Sequence, residues 1–389
     1  MPIKNRFAEL LPEIAAWRQD FHAHPELRFD LPRTTARVAA LLREFGVDEL
    51  VEGVGQSGIV AVIKGRETGS GRVLGFRADM DALPIHEQTG LAHASTEAGK
   101  MHACGHDGHT SILLGAARYL AETRNFDGTV VLAFQPAEEG GGGAKAMVED
   151  GLMDRWGIQE IYGLHNNPQL PVGSFAIKPG PLLAAADFFE IVVQGKGGHG
   201  AQPQVCIDAT LAASAVVMAL QQVVSRNVLP LQPAVLSVTG IASDTMAHNV
   251  IPDSVTLTGT VRTFDVPTKE LIRDRMKVVI ESTAAAYGAT VRFSYVDGVL
   301  PTVNAADQTE HAMAAAAAVA GSVKTDIEPS MGGEDFSEML AVRPGAFILL
   351  GNGPSADLHH PNYEFNDEAI PAGCSWFATL AEQRMPLSA

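Results

Sequence analysis

Short apolar runs alternate with amphipathic stretches through the first half of the chain. After a long helical start, residues 58–63 and 73–77 are dense in aliphatic and β-branched side chains and read as strands, and residues 110–121 repeat apolar positions at helical spacing. A strand over 128–134, a helix over 144–150 and a buried strand over 158–164 follow. Strands taken in turn with helices predict an α/β fold, a mixed sheet flanked by helices.

The pattern breaks at Pro179-Gly180-Pro181, after which residues 187–194 alternate apolar and polar positions as a half-buried strand does. A helix over 208–225, strands over 234–238 and 254–262, a helix over 268–287 and a strand over 290–295 complete the segment. Strand, helix, two strands, helix, strand is the order of a split βαβ, ferredoxin-like α+β unit. The α/β character returns near Pro301, with a helix through the alanine-rich run at 312–320 and a strand at 346–351. The expected organisation is a discontinuous domain of residues 1–182 and 297–389, interrupted by an inserted domain of residues 183–296. With 389 residues, the chain exceeds what one core usually organises.

Composition narrows the functional classes. Hydrophobic residues make up 46% and charged residues 19%, a folded rather than a disordered balance. A formal net charge of −17 repels polyanions, which argues against nucleic acid and anionic lipid as partners. No apolar run reaches the ~18 residues of a membrane helix. Glu9 and Glu13 interrupt any apolar signal core near the amino terminus. Cys104, Cys206 and Cys374 are too few and odd in number for a disulfide framework, so a reducing, cytoplasmic setting is expected.

The densest chemistry lies in His102-Ala103-Cys104-Gly105-His106-Asp107-Gly108-His109, directly before an apolar helix. Thiolate, imidazole and carboxylate are ligands of borderline divalent metals, and in extended backbone the alternate positions 104 and 106 face the same way. A surface loop with helix-capping histidines is the plainer alternative. Glu138 and Glu139 follow the strand at 128–134; adjacent carboxylates share a site when a cation lies beside them, although an acidic surface turn has the same sequence. Asp79 and Asp81, His165, and His359-His360 also follow strands, and open α/β sheets gather ligands beyond the carboxyl ends of their strands. Two adjacent divalent ions supply an acidified water and a polarised carbonyl, chemistry suited to amide hydrolysis.

Competing motifs fail on context. Gly195-Lys196-Gly197-Gly198-His199-Gly200 matches a dinucleotide fingerprint, but Pro203 breaks the helix start and no acid stands near residue 220 for a ribose. The glycines at 140–143 lack the closing Gly-Lys-Ser/Thr of a phosphate loop, and the chain has neither a G-x-S-x-G elbow nor an H-E-x-x-H helix. Gly332-Gly333-Glu334-Asp335-Phe336 superficially resembles a cyclase signature but reads better as a loop near the substrate.

Taken together, these residues resemble the metallopeptidase-type amidohydrolases, which include hippurate hydrolase, bacterial aminoacylases and indoleacetyl-amino acid hydrolases. The resemblance runs nearly end to end, through Phe21 to Leu27, Arg77 to Pro84, His102 to His109, Gln135 to Glu139, Gly197 to Pro203, Asn249 to Asp253, Gly332 to Phe336 and Leu358 to Pro361. It implies Cys104, His106, Glu139, His165 and His359 as ligands of two divalent ions, zinc or manganese foremost and cobalt or nickel as alternatives. His359 is preferred to His360 because it stands two residues before Pro361. Glu138 becomes the general acid/base and Asp81 a group that orients an inner residue.

The same resemblance makes the inserted segment a lid and dimerisation domain. It implies that His199 stabilises the oxyanion in a neighbouring subunit's site, and that Asn249 and Arg262 hold the substrate. Arg262 could pair bidentately with an amino acid carboxylate, a strand-edge salt bridge being the alternative. The implied reaction is hydrolysis of a small N-acyl amino acid by a homo-oligomer, with a dipeptidase or carboxypeptidase, or a non-catalytic conjugate-binding protein, as competing readings. Gln204 stands where the family commonly has histidine, and Cys206 and Ile207 are unusual there, so acyl preference is expected to diverge while metal chemistry stays the same.

Overall fold

The computed structural model describes residues 3–388. Met1 and Pro2, part of the amino-terminal reading above, lie outside the described residues. The chain divides into two compact units, one of Met1–Leu182, Val303–Glu328 and Asp335–Ala389, the other of Leu183–Thr302 and Pro329–Glu334. Residues 297–302 and 329–334 therefore group with the second unit. The last strand of that unit runs past Tyr295, over Thr290–Val299, with a register shift between Val296 and Val299.

The first unit is built on an eight-stranded sheet. Its order is Glu49–Val54, Gly58–Lys64, Thr129–Gln135, Val73–Asp79, Glu160–Asn167, Gly345–Gly351, Phe175–Ala176 and Val323–Lys324. The neighbours Val73–Asp79 and Thr129–Gln135 run parallel, as do Val73–Asp79 with Glu160–Asn167 and Glu160–Asn167 with Gly345–Gly351. Gly58–Lys64 is antiparallel to Thr129–Gln135. Central strands such as Gly58–Lys64 are buried at every position but the last, which is why they read as continuous apolar runs rather than alternating ones.

Helices cover this sheet. His106–Thr123 packs against Ile3–Ala23 and Ile370–Arg384. Phe7, Ile14, Ile112, Leu113, Leu114, Trp376 and Phe377 are fully buried in the resulting core. The helical start is in fact two helices, Ile3–Ala23 and Pro32–Phe45. Pro32 suits a first turn whose N–H groups need no intrahelical partner, and Gly46, at φ 73°, ends that helix in the left-handed region. The helix through the alanine-rich run starts earlier than its composition suggests, over Ala306–Ala320.

In the second unit the strand order is Ala234–Ser243, Ser254–Thr263, Ala185–Gln194 and Thr290–Val299, all antiparallel. That is the order a split βαβ unit takes when each helix crosses over one strand. Helices Ala209–Asn227 and Val266–Ala286 bury Ala213, Val216, Leu220, Ile272, Met276 and Ile280 against Phe189, Ile191, Val193 and Leu257. Asp208 and Asp265 cap these helices, accepting from the Thr210 and Leu211 amides and from the Thr268 amide. Among the described residues, no helix is long and apolar enough to cross a membrane.

Candidate metal centre

Three parallel strands and one helix start converge on a cluster in the first unit. Val73–Asp79 ends in Asp79 and leads to Asp81, and its neighbour Thr129–Gln135 leads through Pro136 and Ala137 to Glu138 and Glu139. His165 lies inside the strand Glu160–Asn167 rather than after it. Nor are Cys104 and His106 on extended backbone, as alternate spacing had suggested. Gly105 turns at φ 88°, and His106 is the first residue of the helix His106–Thr123, four residues earlier than the expected start. The left-handed turn, available to glycine without strain, brings the two side chains to one place.

Three overlapping groups of ligand atoms lie within 4.8 Å of one another: Cys104 with His106 and His165, Cys104 with Glu139 and His359, and His106 with Glu138 and Glu139. Cys104 Sγ is 3.4 Å from His165 Nε2, Glu139 Oε1 is 3.3 Å from His359 Nε2, and His106 Nε2 is 4.0 Å from Glu139 Oε1. All five residues that the resemblance proposes as ligands thus stand together, with Glu138 beside them. His360 turns elsewhere, its Nδ1 accepting from the Asn362 amide at 3.1 Å.

Hydrogen bonds decide which ring nitrogens are available. His106 Nδ1 donates to the Asp81 carbonyl at 2.8 Å, and His165 Nδ1 donates to the Asn166 carbonyl at 2.7 Å. Both rings therefore present the lone pair of Nε2 to the cluster. His109 differs: its Nδ1 donates to Asp79 Oδ1 at 2.7 Å and its Nε2 accepts from the Asn166 amide at 3.0 Å. Although close to Asp79 and His106, it has no nitrogen left for a cation.

The donor set fits a cation on one further observation. Among the described residues, His106 Nε2 and Glu139 Oε1 are buried and find no hydrogen-bond partner. Leaving such groups unsatisfied is costly, and a positive ion would relieve both at once. Burial pushes the Cys104 thiol well above its ordinary range and the His165 imidazole well below its own. Glu139 is also buried, which alone would raise its pKa, but the neighbouring His359 and His106 rings hold it lower.

The supporting residues are as closely held. Asp81 supports the cluster twice: its main-chain carbonyl and carboxylate both face His106 Nδ1, at 2.8 and 3.7 Å, and the carboxylate accepts from the amides of Glu138 at 2.8 Å and Glu139 at 3.2 Å, fixing the turn that carries both acids. Ala137 enters that turn at φ 53° and His359 sits at φ 65°. Left-handed backbone at non-glycine residues, twice at one site, stores strain that the surrounding hydrogen bonds must hold.

In the second unit, His199 and Asn249 come together on a two-stranded ribbon where His199 pairs with Val250 and the Gly200 amide donates to the Asn249 carbonyl at 2.8 Å. His199 Nδ1 accepts from the Ala201 amide at 3.0 Å, so the neutral ring carries its proton on Nε2 and offers a donor there. Arg262 lies on the strand Ser254–Thr263, its guanidinium 6.0 Å from the Phe188 ring centroid. Cys206 follows a short 3-10 turn, Pro203–Val205, and is partly exposed.

Sequence reasoning did not find the buried network behind the cluster. Arg77, fully buried, pairs with Asp79 at 2.7 Å and Asp335 at 3.2 Å. Arg18 and His22, from the first helix, grip Asp107 at 3.4 and 2.8 Å. The available signal was an arginine inside an apolar strand, and an arginine and histidine on the apolar face of a helix, positions at which charges are rarely buried unless paired.

Comparison with known proteins follows the same lines. The model of peptidase family M20/M25/M40 matches residues 75–383. An N-acetylcysteine deacetylase of Bacillus subtilis is 42% identical over 94% of each chain. A hippurate hydrolase of Campylobacter jejuni is 39% identical over 96% of this chain and 97% of its own. A thermostable carboxypeptidase of Saccharolobus solfataricus is 39% identical over 97% of both. Among solved structures, a dinuclear metal-binding peptidase from Bacillus subtilis superposes with a TM-score of 0.85 at 37% identity, covering 97% of this chain and 99% of the other.

Proposed function

We propose that this protein, which belongs to peptidase family M20/M25/M40 and is a hydrolase of that family, cleaves the amide bond of N-acyl amino acids, releasing a carboxylic acid and a free amino acid. The observation that carries the reading is a pair of buried atoms without a hydrogen bond, His106 Nε2 and Glu139 Oε1, set among Cys104, His165 and His359. Those five residues would hold two divalent cations, which when bound supply acidified water and polarisation of the scissile carbonyl. A mixed thiolate, imidazole and carboxylate set suits borderline ions: zinc and manganese come first, cobalt and nickel next.

Glu138 takes the proton from the attacking water and returns it to the leaving amine. Its neighbour Glu139 binds, and Asp81 keeps the two main-chain amides in place so that the acids divide these tasks. His199, with its proton on Nε2, donates to the developing oxyanion in a neighbouring subunit, and Arg262 and Asn249 hold the amino acid end of the substrate. An anionic substrate needs such a local cation on a chain with a net charge of −17.

Self-association through the second unit belongs to the same proposal. Ala234–Ser243 is an edge strand with Ile241 64% exposed, and Met218 on Ala209–Asn227 is 74% exposed. Edges and apolar groups of this kind are commonly covered by a second copy. The three free cysteines support a reducing, cytoplasmic setting.

The likeness to a carboxypeptidase favours a second reading, in which the acyl group is itself a peptide. Assay of metal-loaded protein with N-acetylcysteine, hippurate and an unblocked dipeptide separates the two. Turnover of the first two, abolished by chelation, supports the proposal; turnover confined to the dipeptide overturns it.

A further inference from the structure

We propose that Asp335 is a positioning residue for the Glu138 carboxylate, acting through its own main-chain N–H. The inference rests on the reading of Glu138 as the proton-transfer group. Asp335 is 1% exposed, and its carboxylate is gripped from three sides. Oδ1 accepts from Gln135 Nε2 at 2.7 Å and from an Arg77 terminal nitrogen at 3.2 Å, while Oδ2 accepts from the Ala144 amide at 2.9 Å. Arg77 and Gln135 are themselves joined, Arg77 Nε donating to Gln135 Oε1 at 2.7 Å. These donors come from two adjacent parallel strands and a helix start, so the grip does not depend on any one flexible element.

With its side chain immobilised in this way, Asp335 presents its amide to Glu138 Oε1 at 3.4 Å. Glu138 needs such support because it sits on a turn. Ala137 before it is in the left-handed region, and glycines fill 140–143 behind it. Asp81 holds the Glu138 main chain, and Asp335 restrains the carboxylate at the other end. A contact at 3.4 Å is long for N–H···O, and bonds of this kind shorten when substrate completes the site. A main-chain donor suits the role: it carries no titratable proton of its own, whereas carboxylate oxygens of Glu334 and Asp335 lie within 4.8 Å of one of Glu138.

A double-mutant cycle on the metal-loaded enzyme tests this. Asp335→Asn keeps the shape but replaces one acceptor oxygen with an NH2 that must face a donor. The expected result is a kcat lowered about tenfold or more, with KM and bound metal unchanged. In a Glu138→Gln background, Asp335→Asn should change the residual rate less than about twofold, because groups acting through one another are not additive. Should Asp335→Asn fail to fold, Gln135→Met, which removes one of the three grips and leaves the charge, enters the same cycle. An unchanged kcat, or an equal loss in both backgrounds, overturns the inference. The parent reading fails on a different observation, a Glu138→Gln enzyme with wild-type kcat.

Discussion

The main-chain N–H of His359 donates to the carbonyl of Ala103, the residue before Cys104, at 2.7 Å. Two loops that carry proposed ligands, separated by more than 250 positions in the chain, are thereby joined through backbone, with His359 at φ 65°. Asparagine tolerates that conformation far better than a β-branched residue does. His359→Asn should therefore keep the wild-type Tm within about 2 °C, yet lower affinity for one of the two cations by about tenfold or more. His359→Val should lose both. Metal content by elemental analysis, beside thermal melts, checks the pair; equal melts for the two variants would contradict the backbone argument.

Cation binding should release protons. Burial pushes the Cys104 thiol well up, so the metal-free protein carries S–H, and a ligand must give up its proton to bind. Titrating zinc into chelator-stripped protein in two buffers of different ionisation enthalpy should give different apparent heats, with affinity rising as pH rises. Heats independent of buffer would show that no proton leaves.

A separate pH effect concerns folding. Burial alone would lower the His22 pKa, but hydrogen bonds to Asp107 and Glu87 outweigh it and raise the value from 6.5 to about 9. A group raised on folding stabilises fully below its unfolded pKa and loses that contribution as pH climbs through the folded one. Wild-type Tm should accordingly decline between pH 6.5 and 9. His22→Gln should be less stable at pH 6.5 and flatter across that window; parallel curves for the two proteins would exclude the contribution.

Asp81 offers a sharper test of support without ligation. Asp81→Ala removes the acceptor for two amides, those of Glu138 and Glu139, without deleting a metal ligand. Turnover should fall by about ten- to a hundredfold. Measured at saturating zinc, a wild-type rate would mean that the turn holds its shape unaided.

Much of this was legible in the chain. The continuous apolar runs of Gly58–Lys64 and Thr129–Gln135 announced buried strands, and two residues of the cluster from His102 to His109, Cys104 and His106, stand with Glu139, His165 and His359 as the sequence led one to expect. Hidden features had physical reasons. Glu49–Val54 is an edge strand with only Val54 buried, so its sequence carries little apolar signal. The turn at Gly105 rests on a single φ, which composition does not reveal. Gly332 to Phe336 read only as a loop near substrate, because the partners of Asp335 lie as far back as Arg77. Local periodicity reports which face is buried; it does not report which buried charges meet.

The central claim is that Cys104, His106, Glu139, His165 and His359 surround two cations. Anomalous diffraction at the zinc edge, from crystals of chelator-stripped protein reloaded with zinc, tests it most directly. The account predicts two peaks about 3.5–4 Å apart, ligated by these five side chains with Glu138 adjacent and His109 outside the coordination. One peak alone, or peaks bound by other residues, would contradict it.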